Sequence, residues 1–271
     1  IRLPPIVEEL DLYDYGLEYL EVDPLFFSPY QDGSSVFIHR SVDDTCQGLD
    51  EQFPGEGDRY RAVVDAWGPF GRAVRDTFLA VPSPFEIGKS FVLGPSAQVE
   101  WQSALSSIMR PYGDVVDEFF TEEKVKTPLV WMAAQSGPPP TEAMSAPFLL
   151  WHPLYHESGI ARPRGGSGGL TQALAAMIRG HGGDIHTSSP VDRLIVERGK
   201  ATGVESKGEV FTARAVLSGT HILETLDRLL PAVHRPAEAD SMRVGNGFGA
   251  ILRLALDRPA DYPQNQQRRP D

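Results

Sequence analysis

The sequence predicts a mixed α/β protein in which helices accompany a mostly antiparallel set of strands. Three observations lead to this fold class. With 271 residues and 41% hydrophobic content, the chain can bury a sizeable core. Residues 41–81 are rich in helix formers. Residues 185–217 instead alternate short apolar runs with turns, most of which contain glycine, as antiparallel strands do.

The first 160 residues are expected to contain helices and a few strands. Pro5 fits the first turn of a helix, and Asp32-Gly33 is typical of a hairpin turn. Gly68-Pro69 is expected to divide or kink a helical region. The prolines of residues 137–140 prevent the hydrogen bonding of both a helix and a β-sheet. The predicted elements are a helix from Pro5 to about Leu12, a strand over 17–22, a hairpin between Tyr30 and 36–38, helical segments over 41–81, 96–109 and 115–120, and a strand over 148–151.

The pattern becomes clearer after Gly165. Leu170, Leu174, Met177 and Ile178 have the spacing of one buried helical stripe, and Gly182-Gly183 ends that helix. Short turns between the next apolar segments predict a three-stranded antiparallel meander. The predicted elements are strands over 185–187, 191–196, 201–206, 210–213 and 215–217, the last buried on both faces, a helix containing Leu223 to Leu230, and a strand over 244–256.

Composition excludes several classes of protein. The net charge of −12 opposes binding to phosphate backbones, so we expect no nucleic-acid partner. Cys46 is the only cysteine, which rules out an intrachain disulfide and favours a reducing, cytoplasmic compartment. No apolar run reaches the roughly 18 residues of a membrane span, so contact with a membrane would be peripheral. The chain begins at Ile1, and we expect it to be an interior piece of a longer protein.

Two short motifs suggest chemistry that their surroundings do not support. Residues 165–169 satisfy the G-x-S-x-G pattern of a serine hydrolase, with Ser167 as nucleophile, and Asp184 and His221 lie downstream. The preceding residues 161–164 contain two arginines and a proline, which do not make a central strand. His152 and His156 have the spacing of a zinc pair, but Pro153 lies between them, and a loop or pocket-lining role is favoured.

A longer stretch of the chain resembles a known family. Residues 163–218 are similar to phytoene desaturases and their relatives among the FAD-dependent amine-oxidase-like flavoproteins, and the chain looks nearest to the phytoene-dehydrogenase-related branch. The residues that carry the resemblance are Pro163 to Leu170, Ala173-Leu174-Ala175, Gly182-Gly183-Asp184-Ile185, Pro190-Val191, Gly203-Val204 and Ala213 to Ser218.

The resemblance implies a cofactor and a place for it. Family members hold FAD across a Rossmann-type domain and place an apolar tunnel from an inserted substrate domain against the flavin, which accepts hydride. By this resemblance Val191, Ser218 and Gly219 bind the cofactor. It implies no catalytic residue that we can name, and no metal. The G-x-G-x-x-G fingerprint is absent from the 271 residues, so FAD binding by this chain alone is expected to be weak or absent.

The resemblance also implies a division into domains. Residues 1–160 would begin the substrate-binding domain, 161–231 would form part of the FAD domain with its β-meander, and 232–271 would return to the substrate domain and end in a tail. The expected function is oxidation of an apolar, isoprenoid- or lipid-like substrate. The missing FAD-domain segments of the same or another chain are expected partners. Two alternatives stay open: a serine hydrolase using Ser167, and a non-enzymatic binding protein that retains the substrate domain.

Overall fold

The computed structural model describes residues 5–79, 83–85, 89, 106–244, 252, 254–258 and 262. The chain divides into two compact units, the first comprising Ile1–Met177 with Gly247–Asp271 and the second comprising Ile178–Asn246. Helices and small antiparallel sheets are both present, which confirms the predicted mixed fold class. The assignment of residues 1–160, 161–231 and 232–271 to substrate and FAD domains stays a prediction.

The first unit is mainly helical. Its helices are α1 (Ile6–Glu9), α2 (Val42–Gln52), α3 (Glu56–Phe78), α4 (Tyr112–Phe119), α5 (Glu123–Ala134), a 3-10 helix (Ala146–Leu150), α6 (Trp151–Ser158) and α7 (Gly168–Gly180), which continues past Met177. Its strands are β1 (Tyr19–Val22), β2 (Phe26–Pro29), β3 (Ser35–Ile38) and β4 (Ile160–Pro163). The main core lies between α2 to α6 and β3, where Tyr60, Leu129 and Leu149 are almost wholly buried.

Two antiparallel strand pairs accompany these helices. β1 pairs with β4, with Tyr19 opposite Pro163, and β2 pairs with β3, with Phe27 opposite Phe37. The predicted hairpin is therefore confirmed. Its tip is closed by Asp32, whose Oδ1 accepts a hydrogen bond from the Ser34 amide at 3.1 Å, and by Gly33 at a φ of 89°.

The helical region 41–81 is divided into two helices, but not at Gly68-Pro69 as predicted, and the alternative of a kink there stays a prediction. α3 runs without interruption through Gly68-Pro69, whereas the chain breaks between α2 and α3, where Gly55 adopts a φ of 87°. Pro69 removes one hydrogen bond from the helix, but a face of buried side chains that includes Val63 and Trp67 packs α3 against the core. Tertiary packing therefore outweighs the local signal at this position.

The strand predicted over residues 148–151 is also wrong. These residues lie in the 3-10 helix and the start of α6. Ala146, Leu149, Leu150 and Leu154 are buried and have helical spacing, so the apolar run belongs to one helical face. Short apolar runs do not distinguish a buried strand from a buried helix by themselves.

The second unit is built on the predicted meander. Strands β5 (Arg193–Glu197), β6 (Lys200–Ser206) and β7 (Glu209–Thr212) form one antiparallel sheet in chain order. Both turns, Arg198-Gly199 and Lys207-Gly208, place two successive residues at positive φ, the conformation that matches the twist of a tight hairpin. The meander prediction is confirmed.

Two strands predicted beside the meander do not form. Residues 185–187 and 215–217 have no regular structure, and Leu217 is 96% exposed. In the described part of the chain the sheet ends at β5 and β7, so residues 215–217 have no strand beside them. A strand buried on both faces depends on such neighbours. A π-helix (Glu224–Leu229) and two short 3-10 helices, Ala232–His234 and Ala237–Ser241, complete the unit, confirming the helix predicted around Leu223 to Leu230.

Two other predicted elements fall largely outside the described residues. Within the helix predicted over 96–109, residues 106–108 are helical. Within the strand predicted over 244–256, the described residues Val244, Leu252 and 254–256 have no regular structure. Among the helices of the described ranges, none is both long and apolar enough to cross a membrane.

Gly203 offers a direct test of the meander. A Cβ atom at this position would lie 2.3 Å from the Phe211 carbonyl oxygen on the neighbouring strand, closer than atoms tolerate. We expect Gly203→Ala to destabilise the second unit by about 1–3 kcal/mol, measured by urea unfolding. Gly219→Ala is the matched control, because no atom lies within 4 Å of its Cβ position and the stability should change little. Equal stability of the two variants would contradict the register of β6 and β7.

Candidate functional site

Ser218 and Gly219 lie in the turn that leads into the π-helix of the second unit. The Ser218 hydroxyl is 2.7 Å from the Thr225 hydroxyl and 3.0 Å from the Thr220 hydroxyl, which is itself 2.8 Å from Thr225. The three hydroxyls form a closed triangle. Thr225 belongs to the first turn of the π-helix, so the triangle fastens the turn to the helix.

Val191 lies two residues before β5 and contacts the same helix. Its carbonyl oxygen accepts a hydrogen bond from Arg228 Nη2 at 3.2 Å. The next residue, Asp192, is fixed against β6 because its amide donates to the Glu205 carbonyl at 2.8 Å. One helical segment therefore holds both places that the resemblance assigns to the cofactor, through Thr225 at one and Arg228 at the other.

These residues fit part of an extended dinucleotide. The Val191 amide donates to no described residue, and Gly219 has open space around its Cβ position, so backbone groups remain accessible at both places. The carbonyl of Val191 is already engaged by Arg228. The G-x-G-x-x-G fingerprint of a pyrophosphate-binding turn is absent from the 271 residues. Backbone groups are therefore accessible at the two places that the resemblance assigns to the cofactor, and their role in binding it stays a prediction.

A buried polar cluster in the first unit connects α3 with α6. The Tyr60 hydroxyl lies 2.8 Å from His156 Nε2, and His156 Nδ1 lies 2.9 Å from the Arg40 carbonyl oxygen. A carbonyl only accepts, so Nδ1 carries the proton and Nε2 accepts from Tyr60. His152 is fully buried beside Tyr60, with Nε2 at 3.4 Å from the Leu129 carbonyl, and its Nδ1 has no partner among the described residues.

Burial perturbs the titration of this cluster. Desolvation lowers the pKa of His152 to about 4 and also lowers the pKa of His156. The same cause raises the pKa of the Tyr60 hydroxyl. All three groups are therefore neutral near pH 7. Both ring nitrogens of His156 are engaged in hydrogen bonds, so His156 does not act as a free base. The cluster instead connects α3 with α6 structurally.

The histidine pair does not form a metal site. His152 and His156 lie in helix α6 and not in a loop, and His156 lines a cleft of about 370 Å³ together with Arg40 and Arg72. Within the described ranges, no group of three or more His, Cys, Asp or Glu side chains could hold a metal ion. The pocket-lining interpretation of His156 is confirmed. No local motif marks Tyr60, so the sequence alone does not predict its contact with His156.

Ser167 lies in the loop before α7, as predicted. It is exposed, and no hydrogen bond joins it to a histidine in the part of the chain that the structure describes. A strand, β4, does precede it, but this strand belongs to a two-stranded sheet and ends in Pro163. A nucleophile elbow needs a central strand and a base within hydrogen-bond reach, and the described residues give Ser167 neither.

We expect Ser167 to be unreactive toward a fluorophosphonate probe, because no described residue offers its hydroxyl a base that would activate it. The measurement is intact-protein mass spectrometry after treatment of the wild type and of Ser167→Ala. Both should show the same absence of labelling. Stoichiometric labelling of the wild type that disappears in Ser167→Ala would restore the hydrolase alternative.

A second cavity, of about 400 Å³, opens between β2 and α5 in the first unit. Aromatic and proline side chains dominate its walls, among them Phe26, Tyr30, Pro128 and Trp131. We call it the β2–α5 groove. No sequence pattern indicates this groove, because its two walls are about 100 residues apart in the sequence and share no motif.

Comparison with known proteins agrees with the resemblance. The family described as flavin containing amine oxidoreductase matches residues 95–260, a range that contains Val191, Ser218 and Gly219. This match covers more than half of the chain.

Similar proteins include desaturases and an isomerase. A 4,4'-diapophytoene desaturase of Methylomonas sp is 26% identical over 93% of this chain and 48% of its own length. A neurosporene-forming phytoene desaturase of Cereibacter sphaeroides is 33% identical over 80% of this chain and 41% of its own length. A prolycopene isomerase of Daucus carota is 23% identical over 77% of this chain and 34% of its own length. The chain spans about half the length, or less, of these relatives. It belongs to the flavin-containing amine oxidoreductase family and is phytoene-desaturase-like within it.

Proposed function

We propose that the chain is part of an FAD-dependent oxidoreductase of the desaturase or dehydrogenase type that removes hydride from an apolar, isoprenoid- or lipid-like substrate. The observation that carries this proposal is the family match over residues 95–260 together with relatives named as carotenoid desaturases. The β2–α5 groove supports it, because an apolar cavity of this size suits such a substrate.

Each part of the chain has a role in this proposal. The backbone at Val191 binds the adenine end of FAD, while Ser218 and Gly219 run beside the cofactor. Thr225 and Arg228 keep these two segments in place. When bound, the flavin supplies the acceptor for hydride. Hydride transfer of this kind needs a dry, apolar surrounding for the C–H bond, and no acid or base of this chain is assigned to it.

The proposal extends to partners. The rest of the FAD domain, from the same or another chain, supplies the pyrophosphate site. The substrate is an apolar small molecule, which would reach the protein from a membrane by peripheral contact. Nucleic acid is no partner, since the net charge is −12.

The test uses the complete flavoprotein that contains this chain. It is mixed with phytoene under anaerobic conditions, and the visible flavin absorbance is followed. Loss of absorbance with formation of a product that has two fewer hydrogens supports the proposal. An unchanged flavin spectrum and unchanged substrate, with phytoene and with other isoprenoids, would contradict it.

Polyene isomerisation is a second candidate, because a prolycopene isomerase is among the similar proteins. The two reactions differ in their electron balance. A desaturation delivers two electrons per new double bond to an acceptor, whereas an isomerisation leaves the acceptor unchanged. Measuring acceptor consumed per product formed therefore separates them.

A further inference from the structure

We propose that the β2–α5 groove binds the hydrocarbon chain of a linear isoprenoid, and that Trp131 is the ring that covers it. This inference rests on the proposed function, which it extends by assigning a binding site and a contact residue to the substrate. The site lies wholly within the first unit.

The chemistry of the walls selects an uncharged ligand. None of the lining residues is charged, and two of the three side-chain hydroxyls are already used. The Tyr30 hydroxyl donates to the Lys124 carbonyl, and the Thr127 hydroxyl donates to the Glu123 carbonyl at 2.8 Å. A polar or ionic ligand would lose its water shell here, and among the lining side chains the Ser28 hydroxyl is the one group left to replace it. A hydrocarbon chain makes no hydrogen bonds with water and therefore loses none on entering the groove.

Aromatic rings form a fixed wall of the groove. The Phe26 ring packs edge to face against Tyr155, with 5.4 Å between the ring centroids, and both rings pack against the main core. On its other side Phe26 meets Trp131 edge to face at 6.3 Å. Trp131 is 56% exposed, although its neighbours Met132 and Ala133 on α5 are buried. Covering this indole with an apolar ligand removes exposed apolar surface from water, which is the source of affinity.

The groove has a size and shape that suit a chain. Its volume of about 400 Å³ falls within the range of small-molecule sites, about 300–1,000 Å³. Pro29 and Pro128 stiffen the two walls, because their rings fix the backbone. In the described part of the chain β2 pairs only with β3, so its other edge has no strand beside it.

The experiment measures binding of radiolabelled farnesol to the protein by equilibrium dialysis, with dodecanol as a straight-chain competitor of similar polarity. We expect farnesol to bind, and Trp131→Ala to weaken its affinity by about tenfold or more. Trp131→Phe should retain most of the affinity, because a ring remains. Phe78→Ala is the matched control, an exposed aromatic outside the groove that should bind farnesol like the wild type.

Two results would overturn the inference. One is equal farnesol affinity of the wild type and Trp131→Ala, with both variants folded by circular dichroism. The other is displacement of farnesol by dodecanol at equal concentration, which would remove the isoprenoid assignment. Farnesol binding requires no flavin, so its failure is distinguishable from failure of the oxidoreductase proposal, which shows itself in flavin reduction.

Discussion

Lowering the pH from 6.5 to about 4 is expected to destabilise the protein by on the order of 3 kcal/mol through His152 alone. His152 is fully buried in α6, where its Nδ1 has no partner within the described residues. A charged imidazole at this position would lack both water and a counterion. The folded state therefore holds His152 neutral.

The sign of the effect follows from the two pKa values. The pKa of His152 is about 4 in the folded protein and 6.5 in the unfolded chain. Between these values the unfolded chain binds a proton that the folded protein does not, so acid favours unfolding. The contribution is fully present above pH 6.5 and is lost as the pH falls toward 4. The lowered pKa of His156 acts in the same direction.

The measurement is the free energy of unfolding in urea at several pH values, for the wild type and for His152→Gln. Glutamine can keep a donor near the Leu129 carbonyl but cannot take up a proton in this range. We expect the variant to lose most of the decline that the wild type shows between pH 6.5 and 4.5. His234→Gln, at an exposed position, should retain it. Identical pH profiles for all three proteins would show that His152 is not the buried, neutral group described here.

Local signals predicted some parts of the fold correctly. The meander and the β2–β3 hairpin depend on turns such as Arg198-Gly199 and Asp32-Gly33, whose backbone preferences are contained in two or three residues. The strand predicted over residues 215–217 does not form, because its apolar pattern is that of a strand that needs neighbouring strands on both sides. The strand predicted over residues 148–151 is wrong, because a run of four apolar residues fits a helix and a strand equally well.

The candidate site shows the same limit. Val191, Ser218 and Gly219 are assigned to the cofactor by resemblance alone, and no composition or spacing marks them. The Tyr60 to His156 contact joins residues 96 positions apart. The two walls of the β2–α5 groove are similarly distant. Contacts of this kind arise only when the chain has folded, so a sequence without a motif does not indicate them.

The largest expected contrast concerns flavin. We expect the 271-residue chain to retain essentially no FAD, and the complete protein to retain it in equal molar amount. The chain offers Val191 and the Ser218-Gly219 turn, where backbone hydrogen bonds contribute about 0.5–1.5 kcal/mol each. Immobilising a large cofactor costs several kcal/mol, on the order of 4 or more. The G-x-G-x-x-G fingerprint, whose turn would offset this cost by binding the pyrophosphate, is absent from these residues.

The most direct test of the account is therefore the visible spectrum after gel filtration with excess FAD. The 271-residue chain should elute colourless, while a longer form that adds a G-x-G-x-x-G segment should elute with one flavin per chain. Stoichiometric flavin on the verified 271-residue chain would show that the cofactor site is wrongly placed. A longer form that carries the fingerprint and still elutes without flavin would contradict the assignment of this protein as a flavin oxidoreductase.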